Sequence, residues 1–142
     1  MKHLVLVGTL VTVVSVLSLA SPVAAQSDAS LGTVTLGKAV MANGQRLAAG
    51  TYQVRLTTES PKPGAGQSPD AERYVEFVRA GKVVGREVAS IVSAADINQV
   101  ADSARRPAPG GNRVELLKGN DYMRVWINRG GTNYIIHFPV AT

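Results

Sequence analysis

The chain has 142 residues, 45% of them hydrophobic and 18% charged, with a formal net charge of +5 and no cysteine. This balance excludes a low-complexity disordered polymer and suits one domain built around one core. Without cysteine there is no disulfide, no thiolate metal site and no lipid-modified cysteine, so stability has to come from packing.

The N-terminal stretch reads as a targeting signal. Lys2 gives a short basic start, Leu4 to Ala20 is apolar and uncharged, and Ser21-Pro22 breaks the run. Val23-Ala24-Ala25 then offers the small residues that a signal peptidase accepts. Cleavage after Ala25 is expected, leaving residues 26–142 as a single secreted or periplasmic domain. The competing reading is an uncleaved anchor, because the run approaches the ~18–20 residues that span a bilayer. No later segment is long and apolar enough for a membrane span after cleavage.

Downstream, the pattern is that of short antiparallel strands. Val34 and Leu36 alternate with Thr33 and Thr35, and a segment from Lys38 to Ala42 leads into Asn43-Gly44. That dipeptide suits a two-residue hairpin turn in which both central residues have positive φ. Gln45 to Leu47 returns, Leu47-Ala48-Ala49-Gly50 reverses the chain again, and Thr51 to Thr57 alternates strictly. Tyr52, Val54 and Leu56 share one face while Thr51, Gln53 and Arg55 share the other, a period of two that a helix would scatter.

Ser60 to Asp70 carries three prolines and two glycines and reads as an exposed connector. Glu72 to Arg79 and Lys82 to Val92 form the longest expected hairpin, turning at Ala80-Gly81, with Gly85 marking a bulge or a close backbone approach. Ser93 and Asp96 resemble a helix start, and Arg105-Arg106 before Pro107 a helix stop, so a short helix is expected over 94–104. An irregular crossover is the alternative. Arg113 to Leu117, Tyr122 to Asn128 and Thr132 to Val140 complete the set. About eight strands with at most one helix predict an all-β fold, a single antiparallel β-sandwich or small barrel. The unequal strand lengths and the long crossover favour the sandwich.

Catalytic chemistry has little to draw on. His137 is the one histidine after the expected cleavage, and no Gly-x-Ser-x-Gly elbow accompanies it. Glu72 and Glu76 lie on one strand face at a spacing of roughly 13 Å, too wide for a glycosidase pair. Asp121 sits in a turn. Metal-ligand spacings and phosphate-binding loops are missing from the pattern, and neither a metal nor a cofactor is expected.

One strand invites a binding role. Met123, Val125 and Ile127 make a core face, which leaves Tyr122, Arg124, Trp126 and Asn128 on the other. Such a row stacks on sugar rings and holds anions, unless cross-strand neighbours or a second layer cover it. A protein or glycan partner is expected rather than nucleic acid, because the chain reads as exported. Two further readings stand beside this non-catalytic module: a small barrel carrying an apolar ligand, and a hydrolase.

The run Asn43-Gly44-Gln45-Arg46-Leu47-Ala48-Ala49-Gly50-Thr51-Tyr52 resembles a hairpin of small exported bacterial proteins. In these, Asn-Gly, a basic or polar pair, Leu, Pro or Ala, and Ala-Gly-Thr-Tyr precede an alternating strand. Ala48 stands where Pro is common. The resemblance implies an exported bacterial β-sandwich without an assigned activity, and it transfers no functional residue.

Overall fold

The computed structural model describes residues 29–142. The expected signal segment, residues 1–25, lies outside them. Nine strands follow in chain order: β1 (Ala29–Leu36), β2 (Val40–Ala42), β3 (Gln45–Leu47), β4 (Gly50–Leu56), β5 (Glu72–Arg79), β6 (Lys82–Val92), β7 (Asn112–Leu116), β8 (Tyr122–Arg129) and β9 (Thr132–Pro139). Seven make one antiparallel sheet in the order β1-β4-β5-β6-β9-β8-β7, and β2 pairs with β3. The edge strands β1 and β7 approach one another, and Asn112 Nδ2 donates to the Thr33 carbonyl at 2.8 Å. The all-β antiparallel fold is therefore present in its small-barrel form, as one sheet curled nearly closed.

Local chemistry sets the turns. Asn43 and Gly44 both have positive φ, as do Ala80 and Gly81, and Gly130 and Gly131. These are the primed turns that match the twist of paired strands. Strict alternation then sends one side chain in two inward. Val54, Val75, Phe77, Val125, Ile136 and Phe138 have no solvent exposure. Phe77 packs edge-on against both Tyr52 and Phe138, at centroid distances of 6.2 and 5.3 Å.

The β2–β3 hairpin adds Val40, Ala42 and Leu47 to this same core. It is tied down by an isolated bridge between Val40 and Val140 and by Glu87 Oε2, which accepts from the Asn43 amide at 2.6 Å. Leu47 lies over Gly85, where an added Cβ would meet its Cδ2 at 2.7 Å. Phe77 pairs with Gly85 and Val78 with Val83, so Val84 is the extra residue of a bulge. Close approach and bulge thus coincide at the position where the glycine raised both.

The helix expected over 94–104 does not form. Two 3-10 turns, Ile97–Gln99 and Ser103–Arg105, stand in its place. Ser93 Oγ bonds the Asp96 carboxylate at 2.8 Å and accepts from the Asp96 amide at 3.2 Å, while Asp102 Oδ1 accepts from Ala104 N at 3.0 Å. Short polar side chains that satisfy nearby amides compete with a continuous helical ladder and divide the segment. The segment crosses from β6 over β9 and β8 to reach β7 at the far edge. On the way it buries a second, outer cluster of Val92, Ile97, Trp126 and Ile135.

Candidate functional site

The crossover divides the row Tyr122, Arg124, Trp126 and Asn128. Trp126 is fully buried, and its Nε1 donates to Asn133 Oδ1 at 2.9 Å. Asn133 is buried as well and donates onward to the Val92 carbonyl at 3.3 Å. Asn128 is buried and fastens the crossover: its Nδ2 donates to the Pro107 carbonyl at 2.9 Å, and its backbone exchanges bonds with Gly110 and Gly111. Neither side chain presents a face to solvent. Tyr122 and Arg124 lie beyond the crossover, and Tyr122 is half exposed.

Arg124 sits in a charged neighbourhood. Glu115 on β7 and His137 on β9 are its cross-strand partners, and such pairs have Cβ atoms about 5 Å apart. Arg124 Nε donates to His137 Nε2 at 3.1 Å, so that ring nitrogen is the acceptor of a neutral imidazole. Partial burial of the ring, and next the positive charge of Arg124, hold His137 below its usual pKa of 6.5. The Glu115 carboxylate is mostly buried, with Arg105 Nη2 at 3.2 Å and Arg113 Nε at 2.9 Å. Two guanidinium groups therefore share one carboxylate and a third bonds a neutral ring on the neighbouring strand, a local surplus of positive charge near an exposed tyrosine.

The carboxylates considered for catalysis are otherwise engaged or apart. Glu76 accepts from Arg55 Nη2 at 2.9 Å, and Arg86, its partner across β6, bonds Glu59 at 2.6 Å and stacks on Tyr74 at 3.9 Å. The result is an outer row of alternating charge, which fixes register across β4, β5 and β6. Glu72 pairs with Ser90 at the other end of its strand. Among the described residues no three His, Cys, Asp or Glu side chains converge as metal ligands. The barrel interior, which an apolar ligand would occupy, is filled by the side chains of the main core.

A second feature escaped the sequence reading. A cleft of about 320 Å³ opens between the β5–β6 turn and strands β1 and β4, lined chiefly by Thr33, Thr51, Tyr52, Gln53, Arg79 and Gly81. The Arg79 guanidinium lies 5.5 Å from the Tyr52 ring centroid. It also covers Gly50: a Cβ there would meet Arg79 Nη2, Nη1 and Cζ at 3.1, 3.2 and 3.3 Å. Such nearly equal distances place the guanidinium plane flat over the glycine. Tyr52 Oη donates to the Ala48 carbonyl at 2.6 Å, and the Thr35 and Thr51 hydroxyls share a 2.9 Å bond. The signal for this site was the Gly50-Thr51-Tyr52 triplet, but nothing in the sequence paired it with Arg79.

Fold and surface define a small antiparallel barrel with a packed interior and an arginine-bearing exterior. Comparison with protein-family models, curated proteins and solved structures finds no match to this chain.

Proposed function

We propose that the protein is exported after loss of residues 1–25 and serves as a non-catalytic binding module. Its partner is an acidic glycan or an acidic protein surface, met on the outer face of β7, β8 and β9. The observation that supports this reading is the pairing of Arg105 and Arg113 with the single carboxylate of Glu115, next to the cross-strand neighbour Arg124, whose guanidinium meets only the neutral His137 ring, on the strand that carries the half-exposed Tyr122. Guanidinium groups recognise carboxylate and sulfate through paired N–H donors, and a neighbouring phenol adds a flat contact for a sugar ring. The export part of the proposal rests on the basic start, the apolar run and the small residues ahead of Gln26.

The test is retention on immobilised heparin and on uncharged dextran. Wild-type protein is expected to bind heparin in a salt-sensitive way and to pass through dextran. Arg113→Ala combined with Arg124→Ala should abolish retention in protein that far-UV circular dichroism shows to be folded, with some loss of thermal stability because the mostly buried Glu115 carboxylate keeps only Arg105. Equal retention of the double variant, or equal binding to both resins, would overturn the reading. Mass spectrometry of the exported protein should find Gln26 at its start.

A further inference from the structure

We propose that His137 gates the outer-face site: on taking up a proton it releases the Arg124 guanidinium and becomes a further cation for an acidic partner. The inference rests on the reading of that face as an anion-binding surface and adds its regulation.

Arg124 stands between two partners on the outer face. It is opposite His137 on β9 and opposite Glu115 on β7. Directly opposed side chains lie about 5 Å apart at Cβ, so a guanidinium on the middle strand reaches either side. In the structure it takes the histidine side, with Nε donating to His137 Nε2 at 3.1 Å. That bond needs a bare ring nitrogen. A proton on Nε2 turns the acceptor into a donor and sets two cations against each other, so the bond is lost. The other side holds an open acceptor. The Glu115 carboxylate is mostly buried, and its Oε1 lies 2.9 Å from Arg113 Nε yet accepts no hydrogen bond. A buried carboxylate oxygen without a donor is costly, so the released Arg124 has a place to go.

The surrounding charges leave His137 as the group that titrates. Arg124 faces it from β8, and Glu115 and Arg113 follow on β7, with Arg105 of the crossover on the Glu115 carboxylate. On the β6 side, the residue next along the register from Ala89 and Ile136 is the neutral Val88. Glu87 faces inward as the partner of Val75, and its carboxylate is taken by the Asn43 and Val88 amides. Arg86, on the outer face of β6, is held by Glu59 and Tyr74. Among the described residues no ion pair includes His137. The residue is exposed, so a proton and an anion both reach it. Partial burial and then Arg124 hold the ring below its usual 6.5, so the gate is shut at neutral pH and opens in mild acid. By linkage, an anion bound beside the protonated ring tightens the hold of the ring on its proton by the same factor.

Two measurements on the full exported domain test the gate. The first is affinity for a short heparin fragment at about pH 7.5 and about pH 5, at constant ionic strength. Wild-type affinity is expected to rise roughly three- to tenfold on acidification. His137→Gln, whose amide accepts from Arg124 but takes up no proton, should lose most of that rise. The second follows the His137 ring and the Arg124 Nε–H by NMR through a pH titration, with and without the fragment. Both signals are expected to shift with one midpoint, and the fragment should raise that midpoint by about 0.5–1 pH unit, which is the affinity change seen from the other side. Equal affinity at both pH values, a rise that survives in folded His137→Gln, an Arg124 signal that ignores the ring, or a midpoint that the fragment leaves in place would overturn the gate while the outer-face reading stands. Absence of heparin binding at both pH values would overturn the two together.

Discussion

Replacing Trp126 by alanine tests the central structural conclusion, that this residue anchors the crossover and is not a ligand platform. Trp126 has no solvent exposure and packs with Val92, Ile97 and Ile135. Truncating a buried aromatic to alanine costs about 3–5 kcal/mol through lost burial and the cavity left behind. Its Nε1 is also the donor to Asn133 Oδ1 at 2.9 Å, in a fully buried pair. Leaving that oxygen unpaired adds about 1–3 kcal/mol. The sum approaches the whole stability of a small domain, about 5–15 kcal/mol. Trp126→Ala should therefore be largely unfolded or denature at far lower urea. Trp126→Phe keeps one ring of the packing but loses the donor and leaves a small cavity, and should cost about 2–4 kcal/mol, less than the alanine variant. Urea denaturation followed by far-UV circular dichroism measures both. As the sole tryptophan, Trp126 also reports on its surroundings, with blue-shifted native emission poorly quenched by acrylamide. A folded alanine variant that loses less than about 1 kcal/mol would refute the reasoning, because a buried anchor cannot be removed so cheaply. So would native emission quenched as readily as free tryptophan.

Other consequences are as direct. Gly85→Ala should destabilise by about 1–3 kcal/mol in chemical denaturation, since its Cβ would press on Leu47 in a filled core. Ala80→Asn should stabilise by about 1 kcal/mol, because Ala80 holds φ 51° in a primed turn where Asn-Gly is preferred; an unchanged midpoint would count against this. His137 should titrate below 6.5 by NMR, and Arg124→Gln should move it back up. As pH falls the unfolded chain takes up this proton before the folded one. The contribution is complete above the unfolded pKa of 6.5 and is lost as pH falls through that value toward the lower folded pKa. His137→Gln should flatten this part of the stability profile, and an unaltered profile would show that the ring has no such role.

The sequence by itself determined the strands. Asn43-Gly44, Ala80-Gly81 and Gly130-Gly131 mark hairpins because primed turns need residues that accept positive φ, and alternation assigns inward residues because a strand repeats every two. Both are local properties, legible within ten residues. Even the bulge near Gly85 was legible, since a missing side chain in a strand signals crowding. Tertiary structure alone decided which outward faces stay open. Whether Trp126 meets solvent depends on where the chain between β6 and β7 passes, and that follows from strand order: β7 lies at the far edge, so the connection must cross β8 and β9 and cover what it crosses. The same holds for Arg79, which meets Gly50 and Tyr52 only through the register of β4 against β5. Barrel closure likewise required β1 and β7, the first and last strands of the sheet, to approach each other. Alternation says that a side chain faces outward; only the path of the rest of the chain says whether outward means water.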